Sequence, residues 1–488
     1  MFLARLLVLF SLVCISCAHS SFEQKQLKHA LDFATSNRLE LEILLQHYTY
    51  DSLKLEAAKF LIRNMPHCYS YQQGGEMDSV KRVRTYYSPF GQIDQTYARR
   101  WGHYTYRNLL KIYDAHIITA EYLIDNIDRA FDNWQKRPWN RSLSFEDFCE
   151  YLLPYRIGDE PLEEWRELYE KKYGYLLDSI YKGSDVVEAA NLVSRHLQEP
   201  VFIYCEDFEL PHIGPRYLFS HRYGSCVDAA DIVTYAFRAV GIPCMEDTDA
   251  RGGHVWNVVR DTTGRDVPIW YIASEAVRGS RDTGGYKRGK VYRPMYGFQE
   301  EKAAHLGDDW KSMPLLFYHP YMKDVSYAYY PDTLRILTGI PDDEVCYLAH
   351  FHEAHWWSCA CARSASGKME IPNLESELVY LPMKYTKGNY YPSGFPFWFA
   401  GGEINTFLPD WEKTVKVRLY RKYPVYGWLR SFMGHVVGGT FEGSMTKNFE
   451  DGKTLYEIAD TPVIARNRIF LNKSVKCCYI RYKADNDK

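Results

Sequence analysis

Several common sequence features are missing from this 488-residue chain, and each absence excludes a class of protein. No block of lysine and arginine stands out and the formal net charge is -3, so we expect no nucleic-acid partner. Beyond the N-terminus, no window approaches the roughly twenty apolar residues that a membrane-spanning helix needs. The cysteines after Cys17 show neither a dense disulfide pattern nor a C-x-x-C pair with histidine partners, which argues against a zinc site.

The composition that remains is that of a folded protein. Hydrophobic residues make up 46% and charged residues 25%, and the length predicts about three domains. Cys359 and Cys361 alternate along a probable strand, and we interpret them, like the adjacent Cys477 and Cys478, as small strand residues. No cofactor or metal is expected.

The N-terminal segment is typical of an export signal. Arg5 is followed by the apolar run "LLVLFSLV", and "CISC" ends at Cys17 in a pattern that resembles the lipid-attachment box of bacterial lipoproteins. We expect residues 1–17 to be a signal peptide and Cys17 to carry the lipid, which would anchor the chain to the cell envelope without spanning it. The alternative is an ordinary signal peptide and soluble export.

The hydrophobic patterning predicts a multidomain α+β protein. Apolar residues at three- and four-residue spacing predict a helical domain over 18–180, in which Asp51 caps a helix and Pro161 opens another. Residues 181–310 mix helices with strands. The predicted β-modules cover 320–405 and 406–488.

One stretch points to chemistry. "RYGSCVDAADIVTYAFRAVGIPC" predicts a helix that begins at Cys226 and ends before Gly241. The unsatisfied N–H groups of a helix N-terminus stabilise negative charge, so a thiol at this position is biased toward thiolate. Asp228 and Asp231 are interpreted as favourable charges in the first helical turn.

A thiolate nucleophile needs a base, and the nearest downstream histidine is His254 in "GGHVWNVV". The segments "GGHVWNVVR" and "DVPIWYIAS", joined by a turn at Gly264, predict a β-hairpin. A strand after a short loop would carry His254 back across the start of the Cys226 helix. Trp256 is expected in the core or in a pocket wall.

The order Gly224-Ser225-Cys226, helix, Gly-Ile-Pro and His254-x-Trp resembles the transglutaminase-like superfamily. The resemblance covers about 120 residues, here placed in the domain 181–310, and implies a papain-like α+β core with a nucleophilic Cys226 and a basic His254. The longer layout looks like exported multidomain proteins of the Bacteroidetes type, often lipoproteins.

The resemblance also implies an acid on the strand after the histidine, where this sequence has Ile269 and Trp270. Glu275 is favoured as that acid, with Asp266 as the alternative. The oxyanion would be held by the Cys226 backbone N–H and a further donor, supplied by Tyr223 or by His221.

The β-modules offer a different kind of function. Residues 406–488 include "GGTFEGSMTKNFEDGKTLYEIAD" and "CCYIRYKA", which resemble a discoidin or galactose-binding-like β-sandwich and imply glycan binding. His350, His352 and His355 are interpreted as a cluster at a loop edge without a metal.

Two functions therefore stay open. The first is an exported cysteine hydrolase or acyltransferase that acts on peptide or protein amide bonds. The second is an inactive surface protein whose β-modules bind glycan or protein. The sequence does not choose between water and an amine as the acceptor, nor does it identify the substrate.

Overall fold

The computed structural model describes most of the chain after the N-terminus. The described residues are 22–83, 106, 108–204, 210–251, 253–270, 275–281, 287–299, 313–337, 340–352, 355–416, 433–462, 469–471 and 475–484. The predicted signal segment and Cys17 lie outside them. The chain divides into two compact units, Met1–Phe351 with Trp356–Phe407 and His352–His355 with Leu408–Lys488. Helices and several sheets are both present, as in an α+β protein.

The first part of the larger unit is mainly helical, as predicted. Its helices are α1 (22–33), α2 (Arg38–His47), α3 (Ser52–Asn64), α4 (Glu76–Val83), α5 (Ala120–Lys136), α6 (Phe145–Tyr151) and α7 (Arg166–Tyr175). The side chain of Asp51 accepts the Lys54 N–H and caps α3, which confirms that prediction. The helix predicted to open at Pro161 begins only at Arg166, because Trp165 is buried in a non-helical conformation at its N-cap. A short antiparallel pair, β1 (Tyr69–Tyr71) with β2 (Lys111–Tyr113), was not predicted.

The next elements form a layer of helices on a sheet. The helices are α8 (Val186–Leu197), α9 (Pro215–Ser220) and α10 (Cys226–Ala239), and a parallel pair, β3 (Ile203–Tyr204) with β4 (Tyr223–Gly224), precedes α10. The sheet has the order β7-β6-β5-β8-β9, with β5 (Cys244–Asp249), β6 (Val255–Arg260), β7 (Asp266–Ile269), β8 (Val291–Pro294) and β9 (Met322–Asp324). The predicted helix start at Cys226 and the predicted β6–β7 hairpin are both confirmed.

Helix α10 is the centre of the core. All of its residues except Val227 are buried, and most of the apolar ones belong to one cluster with α7, α8 and the strands β5, β6 and β7. The helix ends at Ala239, and Gly241 follows the C-cap with a φ of +80°, which suits glycine. Trp139 Nε1 donates to the Gly241 carbonyl. The helical part and the sheet thus share this helix.

The later strands of the larger unit form a second β region. After α11 (Leu315–Tyr318), a sheet with the order β12-β11-β14-β16-β17 contains the strands predicted around 345–386, and β15 pairs with β14. A separate pair, β10 with β13, shares a buried core with that sheet. The ranges are β10 (Asp332–Leu337), β11 (Val345–His352), β12 (His355–Arg363), β13 (Lys368–Leu374), β14 (Leu378–Thr386), β15 (Asn389–Pro392), β16 (Phe397–Ala400) and β17 (Glu403–Thr406).

The smaller unit contains a three-stranded antiparallel sheet with the order β19-β18-β20. Its strands are β18 (Thr440–Ser444), β19 (Lys453–Glu457) and β20 (Tyr479–Lys483). The strand predicted at "TVKVRLYRKYP" extends outside the described residues. Among the described helices of the whole chain, none is both long and apolar enough to cross a membrane.

A buried network of ion pairs links the strands β5, β7 and β8 on the face of the sheet opposite α10. Arg293 on β8 contacts Asp247 on β5 at 2.6 Å and Asp266 on β7 at 2.8 Å, and all three side chains are almost fully buried. The hydroxyl of Tyr151 joins Arg293 and Asp266. Removing the cation would leave the buried Asp247 carboxylate without a charged partner and Asp266 with Arg260 alone.

We therefore expect Arg293→Met to lower the free energy of unfolding by about 3–5 kcal/mol. The matched control is Arg335→Met, because Arg335 makes a two-bond pair with Glu370 while both side chains are more than half exposed. Arg335→Met should lower the free energy of unfolding by less than about 1 kcal/mol. Urea unfolding of the two variants measures the difference, and equal losses would contradict the assignment.

Candidate active site

Cys226 is the first residue of α10, and the local sequence explains why the helix begins there. Ser225 is the N-cap, and its backbone N–H donates to Asp228 Oδ2 at 2.8 Å in a capping box. A side chain on Gly224 would collide with the Asp228 carboxylate, so this motif needs glycine. The Cys226 side chain therefore sits at the positive end of a well-capped helix, with the residue only 6% exposed.

His254 lies directly before β6 and is equally buried, at 6% exposed. Its carbonyl accepts hydrogen bonds from Thr248 Oγ1 at 3.1 Å and from the Asp249 N–H at 3.3 Å, which extends the β5–β6 ladder to this residue. Its ring packs edge-on against Trp270, with centroids 4.5 Å apart, and beside Trp256 at 5.6 Å. Aromatic packing thus restricts the orientation of the imidazole.

The register between α10 and β6 brings the starts of the two elements to the same end of the layer. Asn257 Nδ2 donates to the Ala230 carbonyl at 3.0 Å and to Thr234 Oγ1 at 2.9 Å. From the midpoint between Ala230 and Thr234, α10 extends back roughly 9 Å to Cys226. Strand β6 extends back roughly 10 Å to His254. The two predicted site residues therefore lie at equal height.

Strand alternation decides how the two side chains would meet. His254 shares its parity along the strand with Trp256, whereas Asn257 faces α10. Trp256 is fully buried and donates through Nε1 to Tyr329, which places it in the core as expected. Alternation alone therefore assigns the His254 side chain to the face of β6 opposite α10, so its imidazole would have to reach the Cys226 thiol around the end of the strand.

The two carboxylates considered as the third member lie elsewhere. Asp266 pairs with Arg260, six residues along β6 from His254 and roughly 20 Å away. Its carboxylate contacts Arg260 and Arg293, out of hydrogen-bonding reach of the His254 ring. Glu275 is exposed and forms a 2.6 Å ion pair with Arg195 on α8. Trp270, at the position where the resemblance implies an acid, contacts the imidazole instead.

The proposed oxyanion donors occupy different surroundings. Tyr223 is half-buried on β4, three residues before Cys226. The ring of His221 stacks on Tyr217 at 4.5 Å, and its Nδ1 lies 3.3 Å from the Tyr217 carbonyl. His221 is thus held against Tyr217 within its own helix end.

Strand β5 carries three buried acids that the sequence reasoning missed. Glu246 accepts a hydrogen bond from Thr234 on α10 at 2.8 Å, and Asp247 pairs with Arg293 on the opposite face. Asp249 accepts the backbone N–H groups of Arg251 and Gly253. The acidic run in "CMEDTD", between a buried helix and the His254 strand, was the available sequence signal for buried acids. The residues that bind these acids are distant in sequence, so their pairing was not predictable.

The interpretation of Asp231 as a first-turn charge is wrong. Asp231 lies in the second turn, is fully buried, and contacts Nδ1 of His212 at 2.9 Å. Burial alone would lower the pKa of His212, but the Asp231 carboxylate outweighs it and the pKa is raised well above its usual value. The Asp231 carboxylate therefore favours the protonated, ion-paired form of His212. Asp228 does lie in the first turn, as predicted.

A cavity of about 380 Å³, here called the α10 cavity, opens beside this pair. Val227 and Val255, the neighbours of Cys226 and His254, both line it, as do His212 and Glu246. Burial, reinforced by the Asp231 charge, raises the pKa of Glu246 well above its usual value. The cavity therefore adjoins the candidate catalytic residues and contains an acid that favours its neutral form.

Within the described ranges, no group of histidine, cysteine and acidic side chains is arranged to hold a metal ion. Comparison with protein-family models, with curated proteins and with solved structures finds no match to this chain.

Glu246 gives the site a measurable pH dependence. Because its folded-state pKa lies above the ordinary 4.5, its stabilising contribution is complete below that pH and is lost as the pH rises toward the folded value. Glu246→Gln removes the titration and keeps an acceptor for Thr234. We expect the stability of the variant relative to the wild type to increase between pH 4 and pH 8, by on the order of 1 kcal/mol. Urea unfolding at several pH values measures this, and a constant difference would contradict the buried neutral acid.

Proposed function

We propose that Cys226 and His254 form the nucleophile and base of a transglutaminase-like cysteine hydrolase that acts on peptide or protein amide bonds. The observation that carries the proposal is the equal height of the two residues, set by the hydrogen bonds of Asn257 to Ala230 and Thr234. Capping of α10 by Ser225 and Asp228 supports it by holding the thiol at the helix N-terminus.

The reaction proceeds in two steps, formation of a thioester on Cys226 and its hydrolysis. The Cys226 sulfur attacks the amide carbonyl carbon, the C–N bond breaks, and the proton held by His254 passes to the leaving amine. Water then attacks the thioester carbon with His254 as base, releasing the carboxylic acid and restoring the thiol. The Cys226 backbone N–H and Tyr223 stabilise the negative oxygen of each tetrahedral intermediate. An amine in place of water would give a new amide.

The location of this activity is part of the same proposal. The export signal at residues 1–17 and lipid attachment at Cys17 would place the enzyme in the cell envelope, facing peptide substrates. Glycan binding by residues 406–488 would hold the enzyme near those substrates. A peptide or protein is thus the expected partner.

The most direct test of the pair is the alkylation of Cys226 by iodoacetamide, followed residue by residue with mass spectrometry. Half-maximal rate should occur below about pH 8.5, the ordinary value for a thiol, and move toward that value in His254→Ala. Cys244 is the internal control, because burial in the same layer raises its pKa to about 12. An unreactive Cys226, or one indifferent to His254, would overturn the proposed pair and leave the β-modules as the place to look for function.

Turnover of a peptide library tests the roles of the other side chains. Cys226→Ala should reduce amide cleavage by at least about 10³-fold, because it removes the sulfur that forms the thioester in this mechanism. Glu275→Gln should stay within about twofold of the wild type, since its carboxylate is engaged with Arg195 at the surface. Full activity of Cys226→Ala is incompatible with the mechanism, and a large loss in Glu275→Gln would identify Glu275 as the acid that orients His254.

A further inference from the structure

The α10 cavity combines apolar walls with acidic groups. Met245, Met295 and Met322 line it together with Tyr321, whose ring stacks on His67 at 3.6 Å. Unbranched methionine and flat aromatic rings accommodate a flexible hydrocarbon stem. At about 380 Å³ the cavity lies at the lower end of ligand-site volumes, which suits a single long side chain.

Several cationic groups in its wall have partners within the protein. Arg156 makes a buried ion pair with Asp114 and also donates to the Glu160 carbonyl. His212 contacts Asp231 through Nδ1, and a side chain on Gly158 would collide with its ring.

Two further wall residues, Arg238 and His67, also carry groups that can be cationic. Arg238 directs its guanidinium at backbone carbonyls, including those of Tyr151 and Arg156. Burial lowers the pKa of His67 to about 3, so that ring is uncharged at neutral pH. The two arginines of the wall therefore donate to partners within the protein.

The acidic groups are different. Glu246 uses Oε1 toward Thr234, and Asp159 uses Oδ1 toward the His212 N–H. Across the described part of the chain, neither Oε2 of Glu246 nor Oδ2 of Asp159 accepts a hydrogen bond, and both residues line the cavity. Glu246 is buried and Asp159 is half-buried, and a carboxylate oxygen in the wall of a cavity can accept a strong hydrogen bond from a charged donor.

The surroundings of Glu246 explain why the cavity would respond to a cation. Charged or titratable side chains face it from three elements: Asp231, Tyr235 and Arg238 on α10, Cys244 on β5, and His212 before α9. Burial and Asp231 favour its neutral form. A bound cation would reverse that preference, so Glu246 would release its proton as the ligand enters.

We propose that the α10 cavity is a specificity pocket for a lysine-like side chain, whose methylene stem packs on the methionines and whose ammonium group binds Glu246 and Asp159. The role of the pocket in substrate selection rests on the proposed function, because Val227 and Val255 connect it to Cys226 and His254. The bound amine is a protonated recognition group; it is not the acyl acceptor, which must be neutral to attack.

The test measures binding without catalysis, in full-length Cys226→Ala. Titration calorimetry with n-pentylamine and its uncharged analogue n-pentanol should show the amine binding at least about tenfold more tightly, as expected for a charged hydrogen bond. The amine affinity should rise with pH as Glu246 deprotonates, with proton release detected by repeating the titration in buffers of different ionisation enthalpy. Equal affinity for amine and alcohol would overturn the pocket.

Two variants in the same background locate the charge. Glu246→Gln should lose at least about tenfold in amine affinity with no change for the alcohol, and Asp159→Asn provides a second test should the first variant not fold. The control is Glu150→Gln. Desolvation raises the pKa of Glu150 to about 7, but this acid lines a different cavity and accepts the Tyr296 N–H. Amine binding unaffected by Glu246→Gln and Asp159→Asn would refute the assignment. Because binding needs no thiol, its failure is distinguishable from failure of the Cys226–His254 chemistry.

Discussion

The hydrogen bonds from the Asn257 side chain to α10 are the interaction on which the rest of this layer depends. A single amide joins the Ala230 carbonyl and the Thr234 hydroxyl, and the same hydroxyl contacts Glu246 on the neighbouring strand. One turn of α10 is thereby fixed against two strands at once. A slip of one residue on β6 would turn Asn257 away from the helix and separate the levels of Cys226 and His254.

The same constraint explains why so much charge is buried around α10. A helix enclosed by neighbours must satisfy polar groups internally, and it does so by pairing Asp231 with His212 and by turning Arg238 toward carbonyls. The strand β5 continues this arrangement, with Glu246 toward the helix and Asp247 toward Arg293. The polar network and the candidate site are therefore built from the same elements, and the α10 cavity lies where they meet.

Local sequence was sufficient for the elements that carry the site. Gly224, Ser225 and Asp228 form a capping motif within five residues, so the start of α10 at Cys226 was predictable. Gly264, with φ of +76°, and the alternation around it were sufficient for the β6–β7 hairpin. Such features need no knowledge of the rest of the fold.

Partners distant in sequence were not predictable. Asp231 was misread because His212 precedes it by nineteen residues in a segment with no regular pattern. Arg293 lies 46 residues after Asp247, and only the folded sheet brings them together. The helix expected at Pro161 begins later because burial of Trp165 outweighs the local preference of proline for a first turn. In each case tertiary packing decided what local pattern could not.

The measurement that bears most directly on the central claim is the intact mass of the protein during turnover of a peptide amide, after rapid acid quench. Our account predicts an acyl adduct on Cys226, localised by fragmentation, which fails to form in His254→Ala. Cleavage of the amide with no adduct on Cys226 and undiminished in Cys226→Ala would contradict it.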